Sequence, residues 1–217
     1  MSKKNIALLT IFISLAIDQL SKIYIKLNMK IGDEFSYIGN WARIHFVENE
    51  GMAFGMSFGE GMGKFLLTIF RIIAVSFITY YLVQQVKNKK ASKGFVFALS
   101  LILTGAVGNI IDSIFYGQLF SESTTTQLAV AFPAQGYAGW FHGKVVDMFY
   151  FPMYRGVLPE WIPFMGGKYF EFFQFIFNVA DACITVGVAI LLLFQHKFFE
   201  DKKNDNTNTT PNETVAS

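Results

Sequence analysis

Along the chain, long unbroken apolar runs alternate with polar segments, and the length of the runs is informative. A helix needs ~20 mostly apolar residues to cross a bilayer. Four stretches meet that need, at about residues 5–27, 64–86, 94–116 and 172–195. The pattern therefore predicts an all-α membrane protein with four transmembrane helices. Between the runs lie one short Lys-rich loop and two long loops, 28–63 and 117–171. Residues 35–48, FSYIGNWARIHFVE, alternate β-branched and aromatic residues with polar ones, which predicts short strands at the membrane surface. A small β-rich region outside the membrane is the expected companion of the four helices. Gly51, Gly55, Gly59, Gly61 and Gly63 then predict a flexible re-entry loop. In the second long loop a Ser/Thr cluster, SESTTTQ, precedes an aromatic, Pro-bearing stretch, FPMYRGVLPEWIPF, suited to the interface. The membrane domain is expected over 1–200, with 201–217 as a disordered cytoplasmic tail.

Composition sharpens this picture. Of 217 residues, 53% are hydrophobic and only 16% are charged, whereas a soluble domain carries ~25% charge. A net charge of +2 makes no case for a nucleic-acid partner. The single cysteine, Cys183, excludes an internal disulfide and a cysteine-built metal centre. Charge placement sets the expected orientation. Lys3, Lys4, Lys87, Lys89, Lys90, Lys93, Lys197, Lys202 and Lys203 flank the helices on one side. The two long loops are poorer in Lys and Arg for their length, so both termini are expected in the cytoplasm. The N-terminus imitates a cleavable signal peptide, but the apolar run continues past Ala16 without a break.

Charged and strongly polar groups inside a span cost ~2.5–3.5 kcal/mol each on insertion scales. Here they are Asp18, Ser21 and Lys22, then Arg71, then Asn109 and Asp112, then Asn178 and Asp181. With the expected orientation, all fall in the outer half of the bilayer. Each has a bland reading. Asp18 and Lys22, four apart, can pair on one helix face. Arg71 can snorkel to the interface. The Asn and Asp pairs can serve as interhelical glue. Glue needs no common depth, however, and these groups share one. Two carboxyls held close in a poorly solvated site cannot both ionise, which leaves one base and one acid. Such a pair hydrolyses a peptide bond with water alone. Asp181 is one candidate; its partner is Asp112 or an Asp outside the spans, and spacing does not choose between them. No HExxH zinc motif and no GxSxG elbow occur, and His45, His142 and His196 are dispersed. Adjacent Ser21 and Lys22 point ~100° apart on a helix, poor geometry for a Ser/Lys hydrolase.

Five blocks together make a family recognisable. They are Asp18-Gln19-Leu20-Ser21-Lys22, Asn49-Glu50-Gly51-Met52-Ala53-Phe54, Gly105 through Asp112, Val145-Val146-Asp147, and Phe177-Asn178-Val179-Ala180-Asp181. In this order the sequence resembles the lipoprotein signal peptidases, the signal peptidase II family of bacterial membrane aspartyl proteases. The resemblance implies Asp147 and Asp181 as the catalytic pair. It implies a supporting or substrate-binding role for Asp18, Lys22, Asn49, Gly51, Asn109, Asp112 and Asn178. It also implies an enzyme without metal or cofactor, set in the bacterial cytoplasmic (inner) membrane with its site on the extracytoplasmic side. The implied substrates are prolipoproteins whose cysteine already carries diacylglyceryl, cut on the amino side of that cysteine among membrane lipids. Globomycin-type inhibitors are expected to bind.

Three departures accompany the resemblance. Ser113 stands where the family usually places an Arg, so a cationic support is missing or comes from elsewhere. Asp112 and Asp147 are 35 positions apart, which marks 118–142 as an insertion, and 152–168 is a second. Both are expected to form a lid or rim. A competing reading is an ion or proton relay using Asp18, Lys22 and Asp112, with Asp147 dispensable. A third is an inactive lipoprotein-binding homologue.

Overall fold

The computed structural model describes residues 1–39, 41–50 and 62–199; the re-entry loop, Gly51 and the tail lie outside the described residues. Helix α1 spans Lys3–Asn28, starting where the Ser2 hydroxyl accepts the Asn5 N–H. Strands β1 (Glu34–Ile38) and β2 (Ala42–Asn49) form a hairpin within the stretch whose alternation predicts strands. Helix α2 covers Met62–Lys87. Helix α3 covers Lys93–Ile111, capped by the Ser92 side chain. It runs on through one π-helical turn, Asp112–Tyr116, into a last short turn, α4 (Gly117–Leu119). Such π turns often mark functional positions in a helix. Strands β3 (Val145–Tyr150), β4 (Tyr154–Val157), β5 (Tyr169–Phe172) and β6 (Ile176–Phe177) follow, then α5 (Val179–Leu193) and α6 (Gln195–Phe199).

Three helices, α1, α2 and the α3–α4 unit, are long and apolar enough to cross a membrane, while α5 is a shorter apolar helix of 15 residues. Together with the family resemblance they make a multi-pass membrane protein with a small sheet region. The apolar run expected as a helix from about 172 becomes helical only at Val179. Residues 172–177 hold no helix because Phe172 pairs in β5, Phe173 has a positive φ of 68°, and β6 pairs with β3. Aromatic side chains suit a strand as well as a helix, so tertiary pairing decides this boundary.

At one end of the molecule the Lys3 ammonium donates to the Asn88 and Lys89 carbonyls, and Phe95 at the start of α3 packs on Phe198 of α6. The start of α1, the α2–α3 loop and the end of the last helix therefore share one end. An apolar cluster of Ala7, Leu82, Phe95, Val96, Leu99 and Leu103 lies there. A second cluster, including Ile25, Met29, Phe46, Tyr116, Val146 and Met148, joins α1 to the sheet at the other end. Between the two lie the buried polar residues.

Helix α3 is central: 61% of its apolar window is buried, against 17% for α1 and 11% for α2. Large side chains such as Phe12, Phe70 and Phe77 face outward from the flanking helices, as a lipid environment requires. Small residues bring the backbones together. A Cβ on Gly105 would sit 2.1 Å from the Ala180 carbonyl oxygen, and one on Gly108 would sit 2.5 Å from Oδ2 of Asp18. Close approach of α3 to α5 and to Asp18 depends on those two glycines.

The four-stranded antiparallel sheet has the order β1-β2-β3-β6, and β4 pairs with β5 separately. Arg155 ties the β4–β5 hairpin to the larger sheet, with Nε 2.7 Å from Glu171 and Nη1 3.2 Å from Glu34. The 118–142 insertion is anchored to the body of the protein. Phe120 bridges to Ala131, and Phe120 and Ala129 are buried. The buried Ser123 hydroxyl donates to Glu48 at 2.9 Å and accepts from Lys26 at 3.0 Å, beside a Lys26–Glu48 ion pair. The Lys26 ammonium also lies 4.9 Å from the Tyr137 ring centroid. These bonds tie the segment to α1 and β2.

Candidate active site

The site begins with a helix cap. Asn178 precedes α5, and its side-chain oxygen accepts the Asp181 N–H at 2.9 Å. Oδ2 of Asp181 accepts the Asn178 N–H in return at 3.3 Å. This reciprocal capping box satisfies two of the donors a helix start leaves open. It also fixes Asp181 in the first turn of α5, where the helix dipole favours negative charge.

Asp147 arrives from β3. The antiparallel pairing of Phe149 with Phe177 and Tyr150 with Ile176, carried two residues on, brings it to the mouth of α5. Asn178 joins the two carboxyls: its amide group donates to Oδ1 of Asp147 at 2.7 Å and to the Val146 carbonyl at 3.2 Å. Asp147 faces Val47 across the β2–β3 ladder, which puts Asn49 diagonally opposite on the same face. The Asn49 amide donates to Oδ2 of Asp147 at 3.2 Å. Asp147 is buried, whereas Asp181 is partly exposed.

Behind this pair lies a buried polar layer. Asn109 donates to Oδ1 of Asp181 at 2.9 Å and accepts from Asn178 at 3.2 Å and from Lys22 at 2.9 Å. Lys22 spends its other two protons on Asp18 at 3.0 Å and Asp112 at 2.9 Å. All three residues of that ion triad are fully buried. Asp18 accepts the Ala180 N–H at 2.8 Å, and Asp112 accepts the Val146 N–H at 3.3 Å. The triad thus reaches the backbone beside both carboxyls, next to Asp147 on β3 and Asp181 on α5.

The structure brings together Asp147, Asp181, Asp18, Lys22, Asn49, Asn109, Asp112 and Asn178; Gly51 lies outside the described residues. Asp112, the other partner that spacing left open for Asp181, is taken up by Lys22, Gln19 and the Val146 N–H. Ser21 donates to the Asp18 carbonyl within its own helix at 2.8 Å. Two participants escaped the sequence reading. Gln19 bridges Asp18 and Asp112 at 3.0 Å each and accepts from Tyr116 at 3.2 Å. Lys26 extends the Asp18–Lys22 face by one more turn, a four-residue spacing that was open to inspection. Arg71, which snorkelling would carry to the interface, is instead half-buried and donates to the Ser113 hydroxyl at 3.4 Å.

The Asp147 carboxyl is pushed up to about 7, first by burial and then by the charge of Asp181, against the opposing pull of Asn49 and Asn178. Because the folded value lies above the ordinary 3.8, the protonated carboxyl is the form compatible with folding. Its contribution to stability is complete below pH 3.8 and is lost as pH rises through about 7. Asp147→Asn removes that penalty. Above pH 8 the variant should exceed the wild type in stability by up to about 4 kcal/mol, the difference closing towards pH 4. Thermal unfolding in detergent across this range tests it; a gap independent of pH contradicts it.

Comparisons with known proteins converge. The family described as signal peptidase (SPase) II matches residues 10–197. A lipoprotein signal peptidase of Porphyromonas gingivalis is 48% identical over 184 residues, covering 84% of this chain and 79% of that protein. The lipoprotein signal peptidase of Amoebophilus asiaticus is 39% identical over 183 residues, covering 83% and 73%. A bacterial membrane enzyme solved by the in meso method at 2.3 Å superposes with a TM-score of 0.55 at 25% identity, covering 93% of each chain.

Proposed function

Because this chain belongs to the signal peptidase II family, we propose that it is a four-span aspartyl endopeptidase in which Asp147 and Asp181 turn one water molecule against a peptide bond. The protein removes signal peptides from prolipoproteins. The observation that supports an aspartyl mechanism is the Asn178 side chain, which holds Asp147 with its amide nitrogen and the Asp181 N–H with its oxygen. Two carboxyls aligned by one residue, one buried and one open to water, form an acid–base pair.

In this mechanism the dyad shares one proton. The ionised carboxylate takes a proton from water as the oxygen attacks the scissile carbonyl carbon, while the acid protonates the carbonyl oxygen. The tetrahedral intermediate then collapses: the C–N bond breaks, the amine receives the proton taken from water, and the gem-diol returns one to the dyad. The products are the signal peptide carboxylate and a cysteine with a new α-amino group. No cofactor enters the scheme.

The substrate is a diacylglyceryl-modified prolipoprotein, cut on the amino side of the lipidated cysteine. Its acyl chains stay among the membrane lipids while the peptide bond meets the dyad. The Lys-rich end of the molecule faces the cytoplasm and the sheet end faces the extracytoplasmic side of the bacterial inner membrane, in keeping with the grouping of Lys3 with the α2–α3 loop. Globomycin-type peptides are expected to occupy the same site. Cleavage of one prolipoprotein with and without its diacylglyceryl group tests the assignment. Only the modified form should be cut, before the cysteine, and globomycin should block the cut; equal cleavage of the unmodified form would sink the lipid requirement.

A further inference from the structure

We propose that the groove between α1 and α2 at the Lys-rich end of the molecule binds one anionic phospholipid, with an acyl chain along its apolar walls and the phosphate between Lys4 and Lys87. The groove lies at the opposite end from the dyad and does not depend on it. In the orientation proposed above it belongs to the cytoplasmic leaflet.

The walls follow from helix spacing. Lys4, Leu8 and Ile11 share one face of α1, and Val83, Val86 and Lys87 line the groove from α2. Buried Leu103 of α3 forms the base. The cavity measures about 420 Å³, within the ~300–1,000 Å³ of ligand pockets. Leu8 is 57% exposed and Val83 44%, so the walls present open apolar surface. Thr79 also lines the groove, but its hydroxyl is spent on the Val75 carbonyl at 2.7 Å. Below the two lysines the groove therefore suits a hydrocarbon chain, whereas a sugar or a peptide would leave polar groups unmatched there.

The mouth carries charge of one sign. Lys3, Lys4, the four lysines of 87–93 and Lys197 gather at this end. Every described Asp and Glu lies in the buried polar layer or beyond it, among the strands and outer loops. On α1 the first is Asp18, 14 positions from Lys4, or ~21 Å at the rise of an α-helix. Among the described residues Lys4 and Lys87 thus have no carboxylate to pair with. Lys3 donates to the Asn88 and Lys89 carbonyls, which ties the start of α1 to the end of α2 and holds both lysines at one mouth. An apolar slot beneath a pair of cations matches a molecule built as an apolar chain beneath a phosphate.

Native mass spectrometry of the delipidated full-length protein in neutral detergent tests this, with phosphatidylglycerol or phosphatidylcholine of the same acyl chains added. One phosphatidylglycerol per chain should be retained, and phosphatidylcholine roughly tenfold more weakly. Lys4→Gln with Lys87→Gln should weaken phosphatidylglycerol binding about 30-fold and leave phosphatidylcholine unchanged. Val83→Phe, which fills the groove and keeps its charges, should weaken both lipids. Lys89→Gln with Lys90→Gln removes as much charge from the adjoining loop, outside the groove, and should have little effect. Unfolding temperatures should be equal for all variants in lipid-free detergent, and phosphatidylglycerol should raise them least for the Lys4/Lys87 and Val83 changes. An equal loss in the Lys89/Lys90 control, or equal binding of the two lipids, reduces the effect to diffuse attraction and overturns the proposal. Destabilisation by the Lys4/Lys87 change without lipid overturns it too, by assigning the lysines to the carboxylates of 200–217. A dimer peak abolished by Val83→Phe, in place of a lipid adduct, would give the groove to a second copy of the chain. Failure of the peptidase reading would look different: the wild type would not cleave a lipidated prolipoprotein, while its lipid retention stayed the same.

Discussion

Asp147→Asn and Asp181→Asn are each expected to lower cleavage of a lipidated prolipoprotein by at least ~10³-fold, the scale of positioned acid–base catalysis. Asparagine keeps the size and one acceptor oxygen. At position 147 that oxygen can still accept from Asn178, which binds the native carboxyl at 2.7 Å. At position 181 it can still accept from Asn109, which lies at 2.9 Å in the native site. What each substitution removes is the ability to exchange a proton. The Asp181 change also loses the return half of the capping box, a cost of ~1 kcal/mol that leaves the fold standing. Rates measured beside unfolding temperatures separate chemistry from folding. The relay alternative requires Asp147 to be dispensable, so cleavage by Asp147→Asn within tenfold of wild type would revive that alternative. Loss in both variants with the fold intact is the outcome the geometry predicts.

The largest effect on stability is expected from Lys22→Met. The ammonium is fully buried and its three protons are spent on Asp18, Asp112 and Asn109. Removing it leaves two buried carboxylates facing each other without a counter-charge. Breaking a buried pair in this way costs ~3–5 kcal/mol, because the partner's desolvation is no longer offset. Catalysis should fall as well, since Asn109 loses the donor that orients it towards Asp181. Adding Asp18→Asn and Asp112→Asn to Lys22→Met should recover a large part of the stability, because the layer then holds no uncompensated charge. Unfolding in detergent reads both effects. A single variant as stable as wild type would mean that the triad is far better hydrated than its burial indicates.

The two effects sort the polar layer into parts that the sequence revealed unequally. The capping box of α5 is written in adjacent residues: Asn178 followed three positions later by Asp181 at the head of an apolar run. The Asp18, Lys22, Lys26 face is likewise legible, since residues four apart on a helix point the same way. The pairing of Asp147 with Asn178 and Asn49 was not, because their separations of 31 and 98 residues carry no local signal. The resemblance named Asp147, and the β3–β6 register supplies the physical reason it reaches the site. Arg71 shows the limit most clearly. As an isolated charge near a helix end, it fits an interfacial anchor equally well, and its partner Ser113 lies 42 residues away.

The sequence by itself determined that this is a multi-pass membrane protein, where its long apolar helices lie, and which polar residues interrupt its apolar runs. Bilayer insertion and helix capping act on contiguous residues, so a linear pattern suffices for them. Only the tertiary structure decided that 172–177 leave the helix for hairpin and sheet, that segment 118–142 is tied through Ser123 to Lys26 and Glu48, and that Arg71 meets Ser113. Those outcomes depend on hydrogen-bond partners far away in the chain. A buried polar group takes whichever partner the fold brings within reach, and no local pattern specifies it.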